Sequence, residues 1–342
     1  MPAKRQGKIY DRERVELQDV LPLRVPFSIQ IDICSACNMQ CQFCFHSDYE
    51  SVRKNHVRFG MMSYELFCKI IDDMKSAWGG VDKVKKLRLF KVGEPLLNPA
   101  VCDMVRYAKE AGVAELIEIT TNGSLLTEKM SDGLISAGLD ILNISVNGIN
   151  EKQYLDVCNF KIDFDRFRED LKYYYEHKGE KRLLLKYSDI GYSVGEKEQF
   201  YKTFEDVCDE IFVETISGTL WQDTNTGSHV ASTDRGIYGQ PLSGKKVCPF
   251  LFTTMVINDR GVAHMCCVDW KMEYVLGDLQ KEGIDKIWNG DKLKKYQQLH
   301  LLMKKDDIPL CRNCESLSAN TIDDIDKYAQ AIFNATDHWK DI

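Results

Sequence analysis

The sequence predicts an α/β protein: a partial (β/α)6 TIM-like barrel followed by a small C-terminal α+β domain. Three observations carry this expectation. Before residue 215, short β-rich runs alternate with amphipathic helical stretches six times in succession, as parallel strands joined by helical crossovers require. Residues 217–246 then lose all periodicity and become rich in Gly, Ser and Thr, which marks a long linker or a loop that covers an active site. After residue 247 a hairpin signal and short helices replace the βα alternation. The expected divisions are an N-terminal extension over 1–24, a barrel over 25–216, a linker or lid over 217–246, a second domain over 247–316 and a C-terminal helix over 317–342.

Taken in order, residues 28–33 (SIQIDI) read as the first strand. Ser63 caps a helix that runs to about Ser76, with Leu66, Ile70 and Met74 on one face. Residues 84–92 (VKKLRLFKV) form the second strand and end at Gly93, and Asn98-Pro99 opens a helix to about Ala111. Residues 115–120 are strand three, Thr127 caps the next helix, and 140–146 are strand four. A helix over 163–177, strand five over 182–188, a helix over 196–208 and strand six over 210–215 complete the barrel. Beyond the linker, residues 252–258 and 262–267 flank Asp259-Arg260-Gly261 as a hairpin, with glycine free to take a positive φ. Helices near 283–289 and 291–303, a Cys311-x2-Cys314 turn and a helix over 323–338 follow.

Composition bounds the function. The chain has 342 residues, 44% of them hydrophobic, with 45 Lys+Arg against 52 Asp+Glu for a net charge of −7. This suits a folded protein rather than a disordered one, and a mildly acidic balance gives no reason to expect nucleic acid as a partner. No apolar run reaches 18 residues, and the basic N-terminus has no hydrophobic segment behind it, so neither a membrane span nor a secretory signal is expected. The expected location is therefore the cytoplasm, where thirteen cysteines grouped at short spacing point to metal rather than disulfides.

Cys37, Cys41 and Cys44 have the spacing C-x3-C-x2-C and follow the first strand directly. Three thiolates on a 4Fe-4S cube leave one iron open to an outside ligand, whereas an electron-transfer cluster uses four. With Cys34 the run becomes C-x2-C-x3-C-x2-C, which a zinc ion would also accept, although its two pairs lie unusually close for a zinc site. Phe43 stands where an aromatic ring packs over a cluster or an adenine, or simply joins a core. Spacing, position and Phe43 together resemble the radical S-adenosylmethionine (SAM) superfamily. Later motifs support the resemblance in the right order. Gly93-Glu94-Pro95 resembles the family's GGEP motif, which holds the methionyl amino group of SAM, with Val92 where glycine is usual. Thr120-Thr121-Asn122-Gly123 resembles the segment near the ribose, and Ser145 and Asn147 occupy positions at which relatives place polar groups for SAM. Lys186 and Tyr187 share this address at a strand's C-terminal end, where barrels carry their active sites. The resemblance makes Cys34 a bystander.

A second group comprises Cys248, Cys266, Cys311 and Cys314. Four ligands would close a cluster, and spacing alone leaves zinc equally open. Adjacent Cys266 and Cys267, placed on a strand, point to opposite faces, so Cys266 is the expected ligand. Cys-Pro-Phe at 248–250, Cys-Cys-Val-Asp at 266–269, Gly277-Asp278-Leu279, Ile287-Trp288-Asn289 and C-x2-C resemble the SPASM/twitch domains, in the shorter single-cluster form. That resemblance implies an auxiliary 4Fe-4S cluster. Cys267 is then a candidate hydrogen-atom donor, with Cys158 a weaker one. Asp269 is a candidate proton acceptor or a cap on the next turn, Lys186 a contact to SAM or substrate, and His264 a packing residue. Cys68, Cys102 and Cys208 read as small hydrophobes inside helices.

The resemblance implies reductive cleavage of SAM to a 5′-deoxyadenosyl radical that takes a hydrogen atom from a substrate, with the auxiliary cluster able to accept an electron. A reductant such as flavodoxin or ferredoxin would be the protein partner. The expected substrate is a sugar or aminocyclitol-like small molecule, dehydrogenated or epimerised at a carbinol carbon. The alternatives are a peptide-modifying maturase, for which 25 unmatched N-terminal residues are short of a leader-binding domain, and a non-enzymatic, zinc-stabilised binding module.

Overall fold

The computed structural model describes residues 3–6, 14–79, 83–216, 221–226 and 234–340. In chain order a two-residue strand β1 (Lys4–Arg5) precedes β2 (Ser28–Ile31), α1 (Tyr49–Lys54) and α2 (Tyr64–Trp78). Then come β3 (Val84–Arg88), α3 (Val101–Ala111), β4 (Ala114–Thr121), α4 (Glu128–Ala137) and β5 (Ile141–Val146). Helices α5 (Glu151–Cys158) and α6 (Phe164–His177) lead to β6 (Arg182–Asp189), α7 (Val194–Phe204) and β7 (Glu210–Thr215). The C-terminal part holds α8 (Phe250–Thr253), β8 (Thr254–Ile257), β9 (Val262–His264), β10 (Val275–Asp278) and the helices α9 (Ile284–Trp288) to α13 (Ala329–Asn334). Between those last two lie α10 (Asp291–Leu301), α11 (Pro309–Arg312) and α12 (Ser316–Asn320).

All ten strands form one sheet in the order β1-β7-β6-β5-β4-β3-β2-β8-β9-β10. β2 through β7 are parallel sequential neighbours, so the six expected βα units are present as a partial barrel that does not close. The C-terminal part does not build a sheet of its own. β8 pairs in parallel with β2 over Ser28↔Thr254 to Ile31↔Ile257, and β9 and β10 continue the sheet antiparallel. An uncovered β2 edge would present a row of unpaired amides, and the hairpin removes it.

Helix starts follow their caps. The Ser63 side chain accepts from Leu66 N, Thr127 from Met130 N and Asp163 from Arg166 N. Ser193 and Glu196 form a reciprocal capping box on α7. One face of the strands, with Ile29, Leu87, Ile117, Ile119, Leu142, Ile144, Leu183, Leu185 and Ile211, is buried under the helices. The alternate positions are mostly polar, with Ser28, Gln30, Lys86, Arg88, Glu118, Thr120, Asn143, Ser145, Lys186, Ser188, Glu210 and Glu214, and Val84, Leu116, Ile141, Leu184 and Phe212 interspersed among them. The barrel interior therefore carries charged and hydrogen-bonding groups alongside apolar ones such as Leu184 and Phe212.

Several expected boundaries move. β3 stops at Arg88, because residues 89–94 turn to bring Gly93 against the loop at 34–36. The second hairpin strand ends at His264, so Cys266 and Cys267 lie in a turn, and the strand-alternation argument for choosing between them does not apply. Cys208 follows α7 rather than lying within it. The long final helix reduces to a 3-10 turn at Asp326–Tyr328 and the short α13; Asn334, Thr336 and Asp337 are weak helix formers, and Trp339 turns inward to donate to Gln297 Oε1 at 2.9 Å. Residues 151–158 and 275–278 are elements the sequence reading left unassigned.

Candidate active site

The C-terminal ends of β2–β7 frame a cavity of about 410 Å³. Cys37, Cys41 and Cys44 all line it, and Cys34 does not. Cys34 is buried and its thiol faces the Ala36 carbonyl at 3.5 Å. The cysteine loop is held from two sides. Gln40 N and Gln42 N donate to the carbonyls of Cys158 and Val157 at the end of α5, and Cys44 N donates to Cys41 O at 2.8 Å. On the other side Glu94 N donates to Ala36 O, and a Cβ on Gly93 would meet the Cys34 carbonyl at 2.2 Å and that of Ala36 at 2.5 Å. Glycine at 93 is thus required by the close approach of two backbones.

The Glu94 carboxylate is directed into the protein. Oε1 accepts from Leu96 N (2.9 Å) and Thr121 Oγ1 (2.6 Å), and Oε2 from Asn122 N (2.8 Å). Burial pushes it up to about 6, against the pull of those three donors. It fastens the ends of β3 and β4 together and leaves the main chain of the Gly93-Glu94-Pro95 turn beside the cavity. Thr121 and Asn122 line the same wall, and Asn122 Nδ2 lies 2.8 Å from Asn38 Oδ1 and 4.0 Å from Cys37 Sγ. Asn147 Nδ2 lies 3.7 Å from Cys41 Sγ. Phe43, Ser145 and Lys186 also line the cavity, the last paired with Glu214 at 2.6 Å. Tyr187 does not share this position: one residue along the strand, it faces the helices and stacks on Tyr192 and Phe200.

The three thiols fit a cluster with an open iron. Burial, then the field of Glu94 and of Cys41, pushes Cys37 up to about 11, and burial raises Cys44, with Cys41 and Cys37 adding to it. Thiols crowded in this way call for a cation to draw off their protons. Among the described residues no three His, Cys, Asp or Glu side chains close around a single ion. A zinc ion gathers all its sulfurs within about 2.3 Å of one point, whereas cube ligands bind separate irons.

Cys248, Cys266, Cys311 and Cys314 form the second group. Burial raises Cys248, and the fields of Cys314, Cys311 and Cys267 add to it; burial pushes Cys311 up to about 12. Lys305 lies beneath them, its Nζ donating to the carbonyls of Cys311 (2.9 Å) and Arg312 (3.1 Å). Cys267 alone of the five lines the main cavity, where a hydrogen bond from Cys266, followed by the charges of Lys91 and Arg88, holds its thiol low. Asp269 takes the capping role. It is 2% exposed, lies off the main cavity, and accepts from Glu273 N (3.1 Å) and Tyr274 N (2.9 Å). Burial would raise it, but the His264 ring and these amides outweigh that and hold it low. His264 is a buried packing residue bonded to Asn258 at 3.0 Å.

The sequence reading missed Gln30, Arg88, Lys91, Glu214, Trp221, Tyr238, Phe250 and Asn320 on the cavity wall. For the strand residues a signal was present: charges alternating with apolar residues in a strand covered by helices mean charged groups inside the barrel. Part of the expected lid, 217–220 and 227–233, lies outside the described residues. The described part is tied down: Trp270 Nε1 donates to Gln222 O, Asn225 N to Asp48, and Thr215 N to Ile237 O.

A partial barrel with three cysteines at its mouth, and a second cysteine group whose neighbour Cys267 reaches the same cavity, fits an iron–sulfur protein that binds SAM. Residues 31–200 match the radical SAM superfamily and residues 248–315 the SPASM iron–sulfur cluster-binding domain, so the chain belongs to the radical SAM superfamily and carries a C-terminal SPASM domain. Its cofactors are SAM and the 4Fe-4S clusters of these two domains. Among proteins of known role, it is 34% identical over 119 residues to the tungsten-containing aldehyde ferredoxin oxidoreductase cofactor-modifying protein of Pyrococcus furiosus, covering 35% of this chain and 30% of that one. It is 30% identical over 141 residues to the GTP 3′,8-cyclase of Chlorobaculum tepidum, covering 41% and 38%. The chain thus spans about a third of the length of these relatives. In fold it is similar to BtrN in complex with AdoMet and 2-DOIA (17% identity, 88% of this chain and 98% of that one, TM-score 0.55). It is also similar to Streptococcus suis SuiB bound to precursor peptide SuiA (14% identity, 81% and 67%, TM-score 0.61). No helix among the described residues is long and apolar enough to cross a membrane.

Proposed function

We propose that this protein takes a hydrogen atom from a carbinol carbon of a sugar or aminocyclitol-like small molecule, leading to dehydrogenation or epimerisation. The observation that carries this reading is the single cavity of about 410 Å³ that runs from Cys37, Cys41 and Cys44 to Cys267. It must hold SAM and substrate side by side, which suits a small molecule, and Gln30, Thr120, Lys186, Ser188 and Glu214 place hydrogen-bonding groups for hydroxyls on a wall that is otherwise largely apolar. Bound to the first cysteine group, the cluster would supply the electron that cleaves SAM.

Cys37, Cys41 and Cys44 would hold that cluster, and the amides of Asn122 and Asn147 stand beside two of its sulfurs. Phe43, Thr121, Asn122, Ser145, Asn147 and the backbone of Gly93-Glu94-Pro95 would seat SAM. Cys248, Cys266, Cys311 and Cys314 would hold the auxiliary cluster. Lys186, ion-paired with Glu214 on the cavity wall, would orient the substrate hydroxyl, and the Glu214 carboxylate would take up its proton. For epimerisation, Cys267 would return a hydrogen atom to the other face of the carbon, and the thiyl radical left behind would take one electron from the reductant and a proton to restore the thiol; for dehydrogenation, the auxiliary cluster would accept the electron. An acidic one-electron carrier such as flavodoxin would serve as reductant.

The likeness to SuiB supports a peptide substrate as the second reading. One experiment separates the two. Reduced, anaerobic protein with SAM is given carbinol-deuterated sugars and aminocyclitols, or peptides deuterated at Cα and Cβ. Deuterium in 5′-deoxyadenosine from the polyols alone is expected; deuterium from the peptides alone would replace the proposal with the maturase reading. One SAM consumed per oxidised product marks dehydrogenation, and one SAM consumed per product of unchanged oxidation state but inverted carbon marks epimerisation.

A further inference from the structure

Among the described residues, several charges inside the barrel pair off. Lys86 lies 2.7 Å from Glu118, Lys186 lies 2.6 Å from Glu214, and Arg182 pairs with Glu210. Arg88 and Lys91, both on the cavity wall, have no carboxylate within salt-bridge distance among the described residues. The Arg88 Nε is buried and meets no acceptor. Lys91 Nζ reaches only the Asp269 carbonyl, at 3.4 Å. Asp32 and Asp259 act on Lys91 from farther off, and burial pushes Asp32 up to about 7, so this compensation is partial near neutrality.

A guanidinium whose N–H is buried without an acceptor is costly unless a ligand supplies one. Its planar fork matches the two oxygens of a carboxylate or phosphate. The position of Arg88 is also informative. Its charge acts on Tyr238 and Cys267, which come from the C-terminal half of the chain. Arg88, Tyr238 and Cys267 line one cavity, so Arg88 shares it with the C-terminal half of the chain.

We propose that Arg88, assisted by Lys91, forms an anion subsite, so that the substrate bears a phosphate or carboxylate alongside the reacting carbinol. This inference rests on the small-molecule reading above and narrows it to anionic sugars: sugar phosphates, nucleotide-linked sugars or sugar acids. Neutral polyols would lack the group that neutralises Arg88.

The test is calorimetric and needs no turnover. Anaerobically reconstituted protein saturated with SAM is titrated with inorganic phosphate, glucose 6-phosphate, UDP-glucose, glucuronate and glucose. Phosphate and at least one of the three sugar anions should bind at least tenfold tighter than glucose, and Arg88→Gln should weaken that binding tenfold or more. Arg88→Lys should retain a large part of it, while iron content and SAM affinity stay at the wild-type level in both. Tighter UDP-glucose than glucose 6-phosphate assigns a nucleotide-linked substrate; tightest glucuronate assigns a carboxylate. Should Arg88→Gln fold poorly by its iron content, Lys91→Gln and Arg88→Lys carry the comparison. Unchanged phosphate affinity in Arg88→Gln, or in Lys91→Gln where Arg88→Gln folds poorly, would overturn the subsite, as would glucose binding as tightly as the anions. A parallel loss of SAM affinity would overturn it too, by giving Arg88 to the SAM carboxylate. If anions bind as expected but no carbinol deuterium is transferred, the proposed reaction falls and the subsite stands.

Discussion

At the scale of the residue, the cysteine loop and its glycine decide the chemistry. Replacing Cys37, Cys41 or Cys44 by Ala is expected to lower iron from about eight to about four per chain and to end SAM cleavage, whereas Cys34→Ala keeps the iron. Iron analysis of anaerobically reconstituted protein checks both. Gly93→Ala drives a Cβ into the Cys34 and Ala36 carbonyls, so the loop must shift; a loss of about 1–3 kcal/mol and poor loading of the first cluster are expected, read by denaturant melts and iron content. Asp32 is fully buried, and burial, with Asp259 adding and Lys91 opposing, pushes it up from 3.8 to about 7. Because the folded value exceeds the unfolded one, its contribution to stability is complete at low pH and is lost as pH rises to about 7, by about 1.4 kcal/mol per unit. Asp32→Asn should therefore gain on the wild type in denaturation free energy as pH increases, with the gap level above about 7; a pH-independent gap would refute this.

At the scale of the element, caps and periodicity were readable from local residues. Ser63, Thr127 and the strands around Ile29, Leu87, Ile119 and Ile144 lie where their spacing predicts, because each signal is satisfied within one turn or one pleat. Boundaries set by distant contacts were not readable. β3 ends early because Gly93 must reach the 34–36 backbone, and the final helix is cut short because Trp339 is drawn to Gln297. The α7 capping box is a control for the site predictions. Ser193→Ala should cost about 1 kcal/mol and lower Tm by a few degrees, with iron content unchanged.

At the scale of the whole molecule, the second cysteine group belongs to the same sheet as the barrel. β8 runs parallel to β2, which carries the first cysteine loop, and this brings Cys267 to the cavity that Cys37, Cys41 and Cys44 also line. If the second group holds iron, Cys311→Ala should remove about four irons and leave one cluster. SAM cleavage should persist without oxidised product, since electron acceptance would be lost while the first site remains. Product formation at the wild-type rate by this variant would show that the second group only braces the fold; zinc in place of the lost iron would make it a structural metal site.

The sequence by itself determined the order of βα units, both cysteine groups and the motif at Gly93-Glu94-Pro95, because spacing along the chain and residue type suffice to state them. It also held the alternation that places charged groups inside the barrel. Three-dimensional packing was needed to show that Asp269 caps a turn, that Glu94 braces two strands, that Cys34 turns aside, and that Arg88 and Lys91 have no salt-bridge partner among the described residues. Pairing of charges depends on which strands become neighbours across the barrel, and that juxtaposition is fixed by packing in three dimensions rather than by distance along the chain.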